Sequence, residues 1–416
     1  MCWMTARWPL PCGGGGLRVR PLANPAGAIV SNKIEIAAVT QHMPALDGLR
    51  GLAILMVIAT HTAKGFSGTL GALHQPARPD SGFDLPYWLE RVANGGIHGV
   101  TLFFVVSAFT LMRQFEQRGL HDLSGYTLRR IFRIGPAFWL AGLAYLAIIG
   151  AGPREGAPAG NSVIDYLYGF TFTGWLGGPA AVSTVPGGWS VQTEVAFYVC
   201  LPGIVWLVQG RAWRAAIAAI AVTVIAQVSA RVQMQTGMWS YEAYEVPLIQ
   251  LPVFLMAVTA ALMPRPQLGF LSRRFGAWLF TATLLGAAIV CIPLSPLRDW
   301  YALVHLQFAV LVSVATLWAA WWPPRFLTST FLTSIGTVSY SLYLIHPALL
   351  WPVYTLVHVL IPGNSVAAFV VYFIAAALIS YPLSALSYRW IEQPPRRWIA
   401  ARLRARQHPL QQPVMP

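Results

Sequence analysis

Ten apolar stretches of membrane-spanning length make up most of this chain, near residues 49–66, 97–113, 132–150, 192–208, 212–229, 246–263, 276–293, 302–322, 337–360 and 366–390. Only 10% of the residues are charged, against about 25% in an ordinary soluble domain, so a water-soluble fold is excluded. The chain reads as an all-α integral membrane protein, a bundle of about ten transmembrane helices.

The basic residues test that count, because a wrong number of spans would scramble the alternation of loop charge. With a cytoplasmic N-terminus, only Lys64, Arg78, Arg91, Arg154, Arg231 and Arg298 of the 28 lysines and arginines fall on the outer side. This positive-inside asymmetry favours ten spans with both termini cytoplasmic. The net charge of +14 therefore calls for no nucleic acid, since topology and the anionic headgroups of the bilayer account for it. Cys2, Cys12, Cys200 and Cys291 form no CxxC or Cys/His pattern, so neither a disulfide nor a metal site is indicated. Residues 1–43 read as a disordered cytoplasmic tail, or as the product of an early start with Met43 the true one. Residues 44–398 read as one transmembrane domain and residues 399–416 as a basic cytoplasmic tail. The basic balance fits a multi-pass protein of a bacterial inner (plasma) membrane.

Ionisable groups within the apolar stretches are the candidates for function. The segment LDGLRGLAILMVIATH (46–61) places Arg50 and His61 on one helix face, about 16 Å apart along the axis. Arg50 alone could be an inner-leaflet anchor, and His61 could be held by a backbone carbonyl. LRRIFRIGPAFW (128–139) puts Arg130 and Arg133 on one face at an inner helix end, where two guanidinium forks could clamp phosphates or merely mark topology. Glu194, in PGGWSVQTEVAFYV (186–199), is the one carboxylate inside an expected span; it could orient a hydroxyl or a histidine. His346 lies in SYSLYLIHP (339–347), where packing is the plainer reading. Glu392, in RWIEQPPRR (389–397), reads as a helix-end ion pair of little energetic weight.

These segments together resemble the membrane acyltransferase-3 family, over about residues 44–398. Arg50 and His61 match the family's opening arginine and histidine. GVTLFFVVSAFTL (99–111), with Ser107, is similar to GVDLFFVLSGF, and Arg130 with Arg133 matches the RxxR pair. WSVQTEVAFY (189–198) is similar to WSLSVEEQFY and carries Trp189 and Glu194, while SYSLYLIHP and RWIEQP match the closing helices. The chain departs from the pattern at Thr101, Ala108, Gln192, Thr193 and Val195, and it lacks the second glutamate beside Glu194. It reads as the stand-alone form, without a fused hydrolase-like domain.

The resemblance implies an O-acyltransferase that takes an acyl group, acetyl being commonest, from cytoplasmic acyl-CoA. The acceptor would be a hydroxyl of a carbohydrate or glycosylated acceptor, such as a cell-envelope polysaccharide, a glycolipid or a small secondary metabolite, at the extracytoplasmic side. Acyl-CoA is then a donor substrate, and no resident cofactor or metal is expected. Arg50, Arg130 and Arg133 would hold the donor's phosphates. His61, with Arg50, would carry the chemistry as general base or acyl carrier. Glu194, Trp189, Ser107 and His346 are candidates for the acceptor site or for orienting roles. A transporter or flippase for a polar or lipid-linked substrate, and a non-catalytic acyl-CoA sensor, share the same spans and charges.

Overall fold

The computed structural model describes residues 43–66, 89, 92–154, 156–236, 244–265, 272–291, 301–363 and 365–407. Residues 1–42 of the expected N-terminal tail, most of the outer loop 67–96 and residues 408–416 lie outside the described residues. The helices are α1 (Pro44–Phe66), α2 (Gly99–Arg118), α3 (Leu123–Ile149), α4 (Val163–Phe170), α5 (Gly174–Gly177), α6 (Pro179–Val182), α7 (Gly188–Val208) and α8 (Ala212–Gln235). They continue as α9 (Pro247–Ala261), α10 (Ser272–Cys291), α11 (Tyr301–Trp321), α12 (Thr330–Thr337), α13 (Ser339–Leu360), α14 (Val366–Ser387) and α15 (Gln393–Gln407).

Each of the ten apolar stretches centres on one of these helices, and the described residues contain no strand. Among the described residues, seven helical segments are long and apolar enough to cross a membrane: α1, α2, α3, α7, α8, α13, and α14 running on into α15. Shorter apolar helices occupy α9 and most of α11. Large apolar side chains on the outside, among them Ile148, Val199, Trp206 and Trp278, are mostly exposed, as a bundle solvated by lipid rather than water requires.

Local sequence sets the helix ends. Asp122 caps α3 by accepting from the Gly125 amide at 2.9 Å, and Ser162 with Asp165 forms a capping box on α4. Pro136, Pro202, Pro347 and Pro382 lie inside helices that continue past them, which packed membrane helices tolerate.

Helix α2 is the most enclosed of the spanning-length helices and contacts α1, α9 and α11. Helix α1 crosses α12 at near-backbone contact. A Cβ on Gly48 would stand 1.9 Å from the carbonyl oxygen of Leu327, in the turn that leads into α12, and one on Gly336 1.8 Å from that of Asp47. Only glycine permits this approach. The LDGLRG segment therefore locks the register of the helix that bears Arg50 and His61.

Candidate active site

Arg50 is tethered at the start of α1. Its Nη1 donates to Asp47 Oδ1 at 2.7 Å, and its Nη2 donates to Thr110 Oγ1 on α2 at 3.3 Å. The three-residue spacing puts Asp47 one helical turn before its partner, so the arginine is held by its own helix.

Three turns further along α1, His61 meets His346 of α13. His61 Nδ1 lies 2.8 Å from His346 Nε2, with the ring planes 19° apart. His346 is buried, and its Nδ1 lies 2.8 Å from the Leu342 carbonyl oxygen. A carbonyl only accepts, so His346 Nδ1 bears the hydrogen. With both rings neutral, His346 Nε2 is then an acceptor and His61 Nδ1 the donor, which leaves the lone pair of His61 Nε2 free. His61 itself is half-buried.

A cavity of about 60 Å³ opens between α1, α2, α3, α7 and α13. Arg50, Ser107, Arg133, Glu194, Tyr198 and Tyr343 line it. Glu194 accepts from the Ser107 hydroxyl in a short hydrogen bond and from the Tyr198 hydroxyl at 2.5 Å. His61 and His346 lie beyond this cavity, next to Tyr343, whose ring centroid is 6.0 Å from that of His346. Tyr343 donates to the Gly187 carbonyl at 2.9 Å and accepts from Ser190 at 2.8 Å, so its ring is fixed at the boundary between cavity and histidines.

The RxxR arginines take different places. Arg133 lines the cavity, whereas the Arg130 guanidinium stands 5.7 Å over the Tyr198 ring. Arg130 Nε and Nη1 are buried without a hydrogen-bond partner. The positive charge of Arg133 acts on both Arg50 and Arg130, while Asp47, Glu194 and Glu392 act on Arg133. Three arginines and three carboxylates thus share one partly buried cluster. Among the described residues, no group of three or more His, Cys, Asp or Glu could hold a metal ion.

Trp189 packs edge-on against Phe104 and Tyr244, with centroids 6.2 and 5.7 Å away, and does not line the cavity. The expectation for Glu392 needs correction. Instead of an exposed helix-end ion pair, Glu392 is buried on a π-helical turn, Tyr388–Glu392, and accepts a short hydrogen bond from Ser341 of α13. The π turn rotates the carboxylate away from solvent and towards Arg133 and Arg396, whose charges act on it. Sequence reading also passed over Asp47, Tyr198, Tyr343 and Ser341. Two of them had a signal: Asp47 stands one turn from Arg50, and Tyr198 one turn from Glu194. The departures from the family pattern fall on enclosed sites, since Ala108, Thr101 and Gln192 are all buried, the last two with polar atoms that lack a partner.

Comparison with known proteins gives the family. The family model described as an acyltransferase domain, that of the acyltransferase-3 family, matches residues 43–385. Relatives bearing the name "Putative O-acetyltransferase", from Staphylococcus aureus strains MSSA476, MRSA252 and MW2, are each 22% identical over 399 residues, which cover 86% of this chain. The chain spans 58% of the length of these relatives. No solved structure matches. A family model that matches most of the chain establishes that this protein belongs to the acyltransferase-3 family of membrane acyltransferases.

Proposed function

We propose that this protein transfers an acyl group, acetyl in the first instance, from cytoplasmic acyl-CoA to a hydroxyl of a carbohydrate or glycosylated acceptor on the extracytoplasmic side of a bacterial inner membrane. The hydrogen-bonded series Leu342 carbonyl, His346, His61 carries the reading, because it leaves His61 Nε2 as a free base.

In the proposed reaction, His61 Nε2 removes the proton of the acceptor hydroxyl as its oxygen bonds to the thioester carbonyl carbon. The carbon–sulfur bond then breaks, and the His61 imidazolium returns the proton to the leaving CoA thiolate. His346 accepts from His61 Nδ1 throughout and steadies the positive ring that forms. The partly buried arginine cluster supplies the donor end, with Arg50 and Arg133 in the cavity and the unsatisfied N–H groups of Arg130 behind Tyr198. A cavity of about 60 Å³ holds a few water molecules and not a pantetheine arm, so donor binding requires the helices or the Tyr343 ring to yield.

The test is release of free CoA from acetyl-CoA by the purified protein in nanodiscs, with and without sugar acceptors, for wild type beside His61→Ala. Loss of about a hundredfold or more in the variant supports the assignment. Transfer that persists in a folded His61→Ala protein would overturn the role of His61. Transport of a polar substrate without any acetyl-CoA turnover would replace the enzyme reading with a transporter, and donor binding without turnover would point to a sensor.

A further inference from the structure

A second, larger concavity lies apart from the arginine cluster. It encloses about 410 Å³ between α8, α9 and α11, a size typical of small-molecule sites. Its floor is made by small or buried side chains, Ala219, Ala260 and Leu317, while Ile220, Val224 and Val310 stand half-exposed or more at its rim. The groove therefore opens sideways, on the flank of a bundle whose outer surface is apolar.

Two lining residues do not fit an apolar wall. Ser313 of α11 is 3% exposed, and its Oγ is buried with no hydrogen-bond partner. Thr223 of α8 also lines the groove with its Oγ1 buried and unpartnered. Helical serine and threonine ordinarily satisfy themselves on the carbonyl one turn back, as Thr259 in the same groove does on Leu255 at 2.8 Å and Thr316 on Val312 at 2.7 Å. In a membrane no water is at hand to satisfy the other two. Both oxygens are closed off from the groove as they stand, so an occupant that satisfies them must offer hydrocarbon to the walls and an acceptor oxygen that a turn of the side chain about χ1 can reach.

We infer that this groove binds the fatty-acyl chain of an ester-linked glycerolipid, with its ester carbonyl oxygen accepting from Ser313 or Thr223 once that side chain turns about χ1 to face the groove. A chain enters from the bilayer through the open flank and lies along Ala216, Ala219 and Ala260, where the absence of larger side chains makes the depth. The site is separate from the donor cavity, so lipid binding and acyl transfer can be measured independently.

The experiment is photocrosslinking of the full chain in nanodiscs that contain phosphatidylcholine with a diazirine in one acyl chain, with labelled peptides mapped by mass spectrometry. Labelling concentrated on the segments 216–224, 256–263 and 310–317, beyond that of other lipid-facing helices such as α13, is the expected result. Ala219→Phe with Ala260→Phe should abolish the excess by filling the groove. Ser313→Ala, which removes only a hydroxyl, should lower retention of the lipid through detergent exchange about fivefold, the loss of one ordinary hydrogen bond, while CoA release is unchanged. Uniform labelling of all lipid-facing helices, or an excess indifferent to both substitutions, would show ordinary annular lipid and overturn the proposal. If the double variant does not fold, the Ser313→Ala comparison decides alone.

Discussion

His346 holds His61 by a single hydrogen bond of 2.8 Å, and that bond is oriented by the Leu342 carbonyl one turn back on the same helix as His346. The partner's acceptor nitrogen, rather than its bulk, is what fixes the tautomer of His61. His346→Ala should therefore lower kcat about 5- to 100-fold, the range for a buried polar group left unpaired, with KM for acetyl-CoA little changed. His346→Gln keeps an acceptor oxygen and should recover part of the loss. Equal damage from the two substitutions would reduce His346 to packing.

The two RxxR arginines should separate kinetically. Arg133 faces the cavity, and Arg133→Lys replaces a planar fork with a point charge, so KM for acyl-CoA should rise about tenfold with a smaller effect on kcat. Arg130→Lys also removes a guanidinium from the face of Tyr198, so it should lower thermal stability as well as donor affinity. Initial rates across acetyl-CoA concentration, with melting curves in the same detergent, distinguish the two cases.

Glu392 offers a stability test far from the reacting atoms in sequence. Glu392→Ala leaves the Ser341 hydroxyl with Ser387 Oγ, 2.8 Å away, as its remaining acceptor and withdraws negative charge from Arg133 and Arg396. A loss of about 1–3 kcal/mol in unfolding free energy is expected, read as a lowered melting temperature, with KM for the donor raised through Arg133. Wild-type values for both would return Glu392 to a passive helix-end position.

The α1/α12 crossing should tolerate no side chain at all. Gly48→Ala or Gly336→Ala places a methyl group 1.8–1.9 Å from a backbone oxygen, so the helices must separate. Folded yield in membranes should drop sharply, whereas Gly203→Ala, with nothing within 4 Å of the added carbon, should leave yield unchanged.

How far this arrangement was legible in sequence depends on the range of the interaction. Composition and apolar length identify the helices, because a bilayer imposes one length scale on every span. The placement of Arg50 and His61 on one face of that helix follows from the helical repeat alone. What no local pattern discloses is which helices meet: that α13 would bring His346 against His61, or that the π turn after α14 would carry Glu392 inward to Ser341. Those partners lie 285 and 51 residues apart along the chain. The RxxR pair shows the same limit from the other side, since a shared helix face does not decide that one guanidinium enters the cavity while the other stacks on Tyr198.

The glycine crossing at the foot of α1 gives the helix a further property. Because its register is pinned at one end and it runs unbroken from Arg50 past His61, α1 is a ruler set at about 16 Å. In the proposed reaction it selects donors by length: the reactive carbonyl must lie one arm's reach from its phosphates. Acetyl phosphate is too short to touch both marks, and a truncated thioester that lacks the nucleotide reaches the histidine with nothing to hold it at the arginine.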